Sequence, residues 1–300
     1  MLVEQRLVFS GNLLSRSANE RRDAAWIAAR RDDPAGRYLL LQRLEVPVTA
    51  GEQPRLVWLS REQLPSGGEE PILLGLETGI PHFVVSLDGV TAGASTAQTP
   101  YVDARSVAEL LPAEEAAIVA QSRSMTDWHA RTRFCSRCGG PTVSLEGGAR
   151  RQCEACGERH YPRVDPSIIV LVEHDGRALL AGRRGSVPGR SSCVAGFVEP
   201  GESIEEAVAR EVFEETGVEV EDVNYSYSQP WPFPAVLMIG CRAQARTTEI
   251  QVDGVEIESA GWFTRTAVRA ALDGTSSELT LPQPVAIAHH LIRDWATESE

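Results

Sequence analysis

The 300-residue sequence predicts an α+β protein built from several domains. Three observations predict it. Short apolar runs separated by Gly, Pro and Ser turns fill roughly the first 125 residues; residues 133–161 are rich in Cys, Gly and Arg; from residue 163 onward strand and helix patterns alternate. The boundaries drawn from these shifts are 1–130 for an N-terminal α+β domain, 131–162 for a small cysteine module and 163–300 for a C-terminal domain.

Taken in order, "RYLLLQR", "RLVWLS", "PILLGL" and "HFVVSL" read as short strands, followed by a helical stretch from about 105 to 132. Between them "GVTAGASTAQTP", residues 89–100, has the composition of a flexible loop or linker. No catalytic motif occurs in this first region. Further on, "SIIVLVEHDGRALLAGR" holds two apolar runs around His174, Asp175 and Gly176, a hairpin signal. A helix is expected at about 203–216, strands near 219–228, 235–245 and 260–264, and a closing helix at roughly 284–296.

The formal net charge of −13 argues against broad electrostatic binding to nucleic acid or to an anionic membrane, although a local basic patch is compatible with it. All 29 basic residues are Arg, which excludes a Schiff-base lysine and a standard P-loop, both of which require Lys. The first sixteen residues, "MLVEQRLVFSGNLLSR", lack the apolar core of a signal peptide. Apolar runs such as "IIVLV" at 168–172 are far too short to span a bilayer. A cytoplasmic location and reduced thiols are therefore expected.

Cys135 and Cys138 form one C-x-x-C pair and, after fourteen intervening residues, Cys153 and Cys156 form another. Two such knuckles suit a tetrahedral Zn–S4 site, and Gly139 and Gly157 supply the backbone freedom that each turn needs. Two disulfides are the competing arrangement, disfavoured by a reducing compartment. Four thiolates leave no open coordination position, so the zinc is expected to be structural. His160 then reads as a polar residue following the module, and Cys193 and Cys241 as single buried thiols.

The helix expected at 203–216 carries the densest acid. Ser203 with Glu206 is a capping-box pattern, and Gly217 is a natural residue to follow the last turn. Helical phase puts Ile204, Val208 and Val212 on one stripe with Glu211 and Glu215 beside it, while Glu205, Ala209 and Phe213 face elsewhere. Two carboxylates beside an apolar stripe repel each other and lose hydration, penalties that a divalent cation with a preference for oxygen removes. A solvated acidic face, with Arg210 making salt bridges along the helix, is the plainer explanation.

The longer stretch 196–218, "GFVEPGESIEEAVAREVFEETGV", weighs against the solvated face. It fits G-x5-E-x7-R-E-U-x-E-E-x-G-U, where U is apolar, at Gly196, Glu202, Arg210, Glu211, Val212, Glu214, Glu215, Gly217 and Val218. This pattern is the Nudix box, a loop–helix–loop that binds metals and a diphosphate. With the cysteine module before it, "YPRVDP" between, and "SQPWPFP" at 228–234 ten residues after it, the chain from about 133 to 296 resembles the NADH pyrophosphatases of the NudC type. The N-terminal region agrees with that family in position only.

The resemblance implies an N-terminal domain, a zinc ribbon and a Nudix α/β/α sandwich with a mixed sheet, assembled as a homodimer. It implies that Glu211 and Glu215 hold catalytic Mg2+ or Mn2+ with the carbonyl of Ala195. Glu214 would be a further ligand or the base that activates water, Arg210 would orient the carboxylates, and Glu202 is a further acid of the motif. Tyr161 and Phe197 match aromatic positions that sandwich the nicotinamide ring. Gln229, Pro230, Trp231, Pro232, Phe233, Pro234, Ala235 and Val236 match the substrate-contacting segment, and Ala288 a contact near the last helix. Trp231 and Phe233 are also readable as core residues. Two positions depart from the family: Val236 stands where a Ser is usual, and Ser259 stands where a further metal-binding acid is expected, with Glu256 or Glu258 nearby to replace it.

The implied activity is metal-dependent hydrolysis of NADH or NAD+ to a nicotinamide mononucleotide and AMP. The NAD cap of an RNA 5′ end is an alternative substrate for the same chemistry. A zinc-ribbon binding or regulatory protein with an inert Nudix domain is the alternative from another class, and the intact box speaks against it.

Overall fold

The computed structural model describes residues 7–65, 69–88 and 99–298. The linker expected at 89–100 lies almost wholly outside the described residues. Two compact units divide the chain: Met1–Val164 with Trp231–Ala235, and Asp165–Pro230 with Val236–Glu300.

The first unit opens with α1 (Ala24–Arg31), β1 (Arg37–Leu41), β2 (Val46–Pro47), β3 (Trp58–Leu59), β4 (Ile72–Glu77), β5 (Ile80–Ser86) and β6 (Tyr101–Val102). Its main sheet has the order β3-β1-β5-β4, with β1 and β5 parallel. Tyr38 and Phe83, paired across those two strands, stack at 4.9 Å inside a core with Ile27, Leu40, Leu73 and Val85. The long helix expected at about 105–132 is two helices, α2 (Ala104–Val107) and α3 (Ala113–Arg131). Pro112 caps the second, and a proline disfavours helical geometry in the residue before it, which is why the run breaks there.

Three short antiparallel strands follow: β7 (Thr142–Leu145), β8 (Arg150–Cys153) and β9 (Arg159–His160). His129 near the end of α3 ties this module down. One ring nitrogen, Nε2, lies 2.9 Å from the Gly148 carbonyl, and Arg151 approaches the other, Nδ1, at 2.9 Å. Arg151 also donates to the hydroxyl and carbonyl of Thr142. This arrangement needs a neutral ring that donates from Nε2 and accepts at Nδ1. Burial lowers the His129 pKa to about 4, which keeps it so.

The second unit contains β10 (Asp165–His174), β11 (Arg177–Arg183), β12 (Val194–Phe197), α4 (Ile204–Thr216), β13 (Val220–Trp231), β14 (Val236–Ala245), β15 (Ile257–Thr264), α5 (Arg265–Leu272) and α6 (Ile287–Thr297). The sheet order is β13-β14-β10-β11-β15, with β12 paired to β10. It is mixed: β10 runs parallel to β14 and antiparallel to β11 and β12. Alternation along β10 sorts its side chains. Ile168, Val170 and Val172 join Ala207, Val208 and Val212 of α4 in one core. On the opposite face Gly240 of β14 receives Ile287 at the start of α6, where an added Cβ would stand 3.0 Å from the Ile287 side chain. The result is an α/β/α sandwich. Fully buried Val208 and Val212 contribute roughly 1.5–3 kcal/mol each, enough to seat α4 on the sheet with a glutamate beside them.

Candidate active site and zinc centre

In the cysteine module each knuckle repeats the same turn. Gly139 N–H donates to the Cys135 carbonyl and Gly157 N–H to the Cys153 carbonyl, at 2.9 and 3.0 Å, and both glycines sit at φ +74°, open to them but strained for other residues. The four Sγ atoms lie within 4.8 Å of one another. Cys135 and Cys156 are 3.8 Å apart and Cys138 and Cys153 3.5 Å, far longer than a disulfide bond of about 2.05 Å. Zinc with Zn–S bonds of about 2.3 Å holds its tetrahedral sulfurs about 3.8 Å apart, so the set fits the ion. The module is a structural zinc site, closed by four thiolates.

The acidic helix is built as its ends indicate. Ser203 and Glu206 exchange both bonds of the capping box, and Gly217 closes the helix in the left-handed region at φ 72°. Glu215 goes down with the apolar stripe and is only 5% exposed, with its Oε2 buried and, among the described residues, without a hydrogen-bond partner. Desolvation first, then the neighbouring charge of Glu211, Glu256 and Asp253, raises its pKa to about 7, opposed by Arg183.

Arg210 organises the other carboxylates. Its Nε donates to Glu202 at 2.5 Å, one terminal nitrogen to Glu211 at 2.8 Å and Glu214 at 3.1 Å, and the other to Glu202 and the Phe197 carbonyl, both at 2.9 Å. All five guanidinium donors are committed. The Arg210 hydrogen bonds, then the Glu199 backbone N–H, hold the Glu202 carboxyl down to about 2. Glu211 is partly buried against β12, where Gly196 leaves it room; a Cβ on Gly196 would overlap its carboxylate. Ala195 is adjacent to Gly196 on the same strand, paired with Ile169. Glu214, at 58% side-chain exposure, faces solvent.

The turn after β14 docks on the end of this helix. Gln251 N–H donates to the Thr216 carbonyl and Asp253 N–H to the Glu215 carbonyl, at 2.9 and 3.3 Å. Asp253 folds the turn by accepting from the backbone N–H groups of Glu256 and Ile257. Glu258 is engaged by Gly185 N–H at 3.3 Å, whereas Glu256 bears on Glu215. Ser259 pairs with Gly182 and crowds it, on the face away from the α4 core that Ala181 and Ala260 share. An oxygen-only donor set containing a buried, unpartnered carboxylate oxygen fits a hard divalent cation, Mg2+ or Mn2+.

The substrate-segment residues divide into three kinds. Tyr161 and Phe197 both present exposed rings. Gln229 is fully buried; its amide donates to the Val285 carbonyl and its oxygen accepts from Ile287 N–H, so it caps α6. Ala288 is buried one residue further along, Val236 is buried, and Pro230 is half-buried. Trp231 and Phe233 pack against each other and edge-on to Phe9. Arg105 lies over both rings, at 5.0 and 4.6 Å, and Arg123 over Phe233 at 4.8 Å. Arg123 also donates to the buried Pro232 carbonyl at 3.4 Å, and Pro234 and Ala235 complete the segment at its surface. Sequence reasoning missed Arg105, Arg123 and Arg183. For Arg183 a signal existed: alternation in "RALLAGR" puts it on the face of Leu179 and Ala181.

Family models match in three consecutive blocks: an NADH pyrophosphatase-like rudimentary NUDIX domain at 35–128, an NADH pyrophosphatase zinc ribbon domain at 130–161 and a NUDIX domain at 162–281. The chain is 38% identical to the NAD-capped RNA hydrolase NUDT12 of Homo sapiens, over 96% of this chain and 72% of that protein. It is 36% identical to the NAD-capped RNA hydrolase NudC of Chromobacterium violaceum, over 79% and 87% of the two chains. It is also 36% identical to the mitochondrial NAD(P)H pyrophosphatase NUDT13 of Mus musculus, over 76% and 71%. A NUDIX hydrolase structure from Nitrosomonas europaea aligns at 26% identity and a TM-score of 0.39, over 45% of this chain and 79% of that one. The chain belongs to the Nudix hydrolases, in the NADH pyrophosphatase family whose members join a rudimentary Nudix domain and a zinc ribbon to a complete Nudix domain.

Proposed function

We propose that this protein is a metal-dependent pyrophosphohydrolase that splits NADH or NAD+ into a nicotinamide mononucleotide and AMP, and removes the NAD cap from RNA 5′ ends by the same cleavage. The observation that carries this reading is the prepared carboxylate set. Arg210 fixes Glu202, Glu211 and Glu214, and Glu215 keeps a buried oxygen with no hydrogen-bond partner among the described residues. The names of the relatives, NAD-capped RNA hydrolase and NAD(P)H pyrophosphatase, support the substrate class.

Glu211, Glu215 and the Ala195 carbonyl would hold the divalent cation, joined by an acid of the 253–258 turn. Glu258, held by Gly185 N–H at 3.3 Å, and Glu256, which bears on Glu215, are the two acids available for that last role. When bound, Mg2+ or Mn2+ neutralises the diphosphate and acidifies the attacking water. Glu214 would accept the proton of that water, a role supported by its exposure and its single 3.1 Å bond to Arg210. The water oxygen bonds to one phosphorus, the P–O–P bridge breaks, and the second phosphate leaves with its nucleoside; no bond to the protein forms. Exposed Tyr161 and Phe197 offer rings for stacking on planar bases, a recognition that needs no basic surface and so suits an acidic protein. Gln229 would support the substrate segment from inside the fold, since its amide donates to the Val285 carbonyl and accepts from Ile287 N–H.

Incubation of NADH with the protein and Mn2+, with products resolved by chromatography, tests the reading. Nicotinamide mononucleotide and AMP are expected, and Glu215→Gln should reduce turnover by at least about a hundredfold. No turnover of any dinucleotide would leave an inert Nudix domain as the better description. We further place the protein in the cytoplasm as a homodimer; a monomer mass in light scattering would remove the dimer. Among the described residues, no helix is long and apolar enough to cross a membrane.

A further inference from the structure

Arg183 ends β11 at a point where the sheet register changes. Strand alternation places Leu179 and Ala181 in the core shared with α4, and Arg183 is the next residue on that face. On β15, Ala260 pairs with Ala181 and Ser259 with Gly182, but Arg183 pairs with Ile257, so one residue bulges out. The bulge returns Ile257 to the α4 core and keeps Arg183 opposite it on the helix side. Arg184 N–H donates to the Glu256 carbonyl at 2.8 Å, locking this strand end to the acidic turn. Arg183 thus lies on the α4 side of the sheet, at the strand end that holds the acidic turn.

Its guanidinium is exposed and, among the described residues, makes no hydrogen bond or ion pair. The contrast with Arg210 is chemical. One arginine has all its donors committed to carboxylates and a backbone carbonyl; the other lies on the α4 face of the sheet, beside the acidic turn, and among the described residues pairs with none of the acids. A cation whose task was to neutralise the acids would sit in contact with them. A cation held off at the rim, with its fork open, suits an anion arriving at the same site. Guanidinium geometry matches phosphate oxygens in a two-bond fork.

We propose that Arg183 is a substrate-binding residue of the Nudix site and grips the diphosphate of the incoming dinucleotide. This rests on the pyrophosphohydrolase reading above. Arg183 then fixes which side of the diphosphate faces the carboxylates, while the nucleosides are recognised elsewhere.

Steady-state kinetics on NADH with Mn2+ test it with Arg183→Ala and Arg183→Lys. Loss of a charge-assisted phosphate contact should raise KM roughly 10- to 100-fold in Arg183→Ala, with kcat changed less than about threefold and Arg183→Lys intermediate. Inorganic pyrophosphate, used as a competitive inhibitor at fixed Mn2+, should weaken by a similar factor. Mn2+ affinity without substrate, followed by electron paramagnetic resonance, should stay level or tighten, because a cation has been removed from beside carboxylates. Arg183 is exposed, so thermal stability should hold. Unchanged KM and pyrophosphate inhibition, or weakened Mn2+ binding as the main effect, would overturn the proposal. A wild-type protein that turns over no dinucleotide would overturn the pyrophosphohydrolase reading and the role of Arg183 with it. Wild-type turnover with an indifferent Arg183→Ala would remove only Arg183.

Discussion

Gly196 and Glu211 share a space too small for one more carbon: a Cβ on Gly196 would overlap the Glu211 carboxylate. The overlapped atoms are the far end of a flexible side chain, so the fold can absorb the clash by swinging that end away. The site cannot, because Glu211 would then leave both Arg210 and the floor of β12. Gly196→Ala should therefore fold with a thermal midpoint close to wild type. It should bind Mn2+ about 10- to 100-fold more weakly, measured by electron paramagnetic resonance or calorimetry, and lose turnover in proportion. A variant with wild-type Mn2+ affinity would show that Glu211 is not placed by this contact.

Arg210 offers a test of geometry against charge. Arg210→Lys keeps the positive charge but replaces a planar five-donor fork with three donors on a point charge. Glu202, Glu211 and Glu214 cannot all be held, so kcat on NADH should fall by at least about tenfold while KM moves less. Activity within twofold of wild type would mean that net charge alone suffices.

The zinc site carries a separate prediction. Elemental analysis should find about one zinc per chain. Removing it with a chelator, or substituting Cys153→Ser, should unfold the module, because metal binding in such small domains supplies on the order of 10 kcal/mol of folding free energy. Proteolysis within 133–161 reads this directly: protection with zinc, cleavage without it. Equal protection in both states would mean that the packing of His129 and Arg151 holds the module alone.

How much of this was legible in the sequence depended on whether the signal was local. The cysteine knuckles and both ends of α4 are set by residues a few positions apart, and their geometry follows their spacing. The break between α2 and α3 was also written locally, in Pro112, although the apolar content of the stretch reads as one helix. What could not be read was non-local. The bulge that keeps Arg183 on the α4 side of the sheet exists only once β11 and β15 are paired. The duty of Gln229 depends on Val285 and Ile287, more than fifty residues away, so its place in a substrate-contacting string gave no hint that its amide caps a helix. Trp231 and Phe233 likewise show their partners Phe9 and Arg105 only after folding.

The last prediction concerns pH. Glu215 is raised from 4.5 to about 7, chiefly by burial and then by the surrounding acids. Its protonated form is favoured in the folded protein, so its contribution to stability is fully present below about pH 4.5 and is lost as pH rises through about 7. The gap is worth on the order of 3 kcal/mol if the unfolded chain titrates normally. Without divalent cations, the thermal midpoint should fall across this window. In Glu215→Gln, which cannot ionise, the fall should flatten. Saturating Mg2+ should reverse the trend for the wild type, since a cation binds the ionised carboxylate and stabilises the folded state by mass action. Scanning calorimetry of both proteins, with and without Mg2+, checks all of this at once. If wild type and Glu215→Gln show the same pH slope without metal, Glu215 is hydrated in solution. The charge strain that a cation would relieve is then absent, and with it the physical reason for burying a glutamate beside Val208 and Val212.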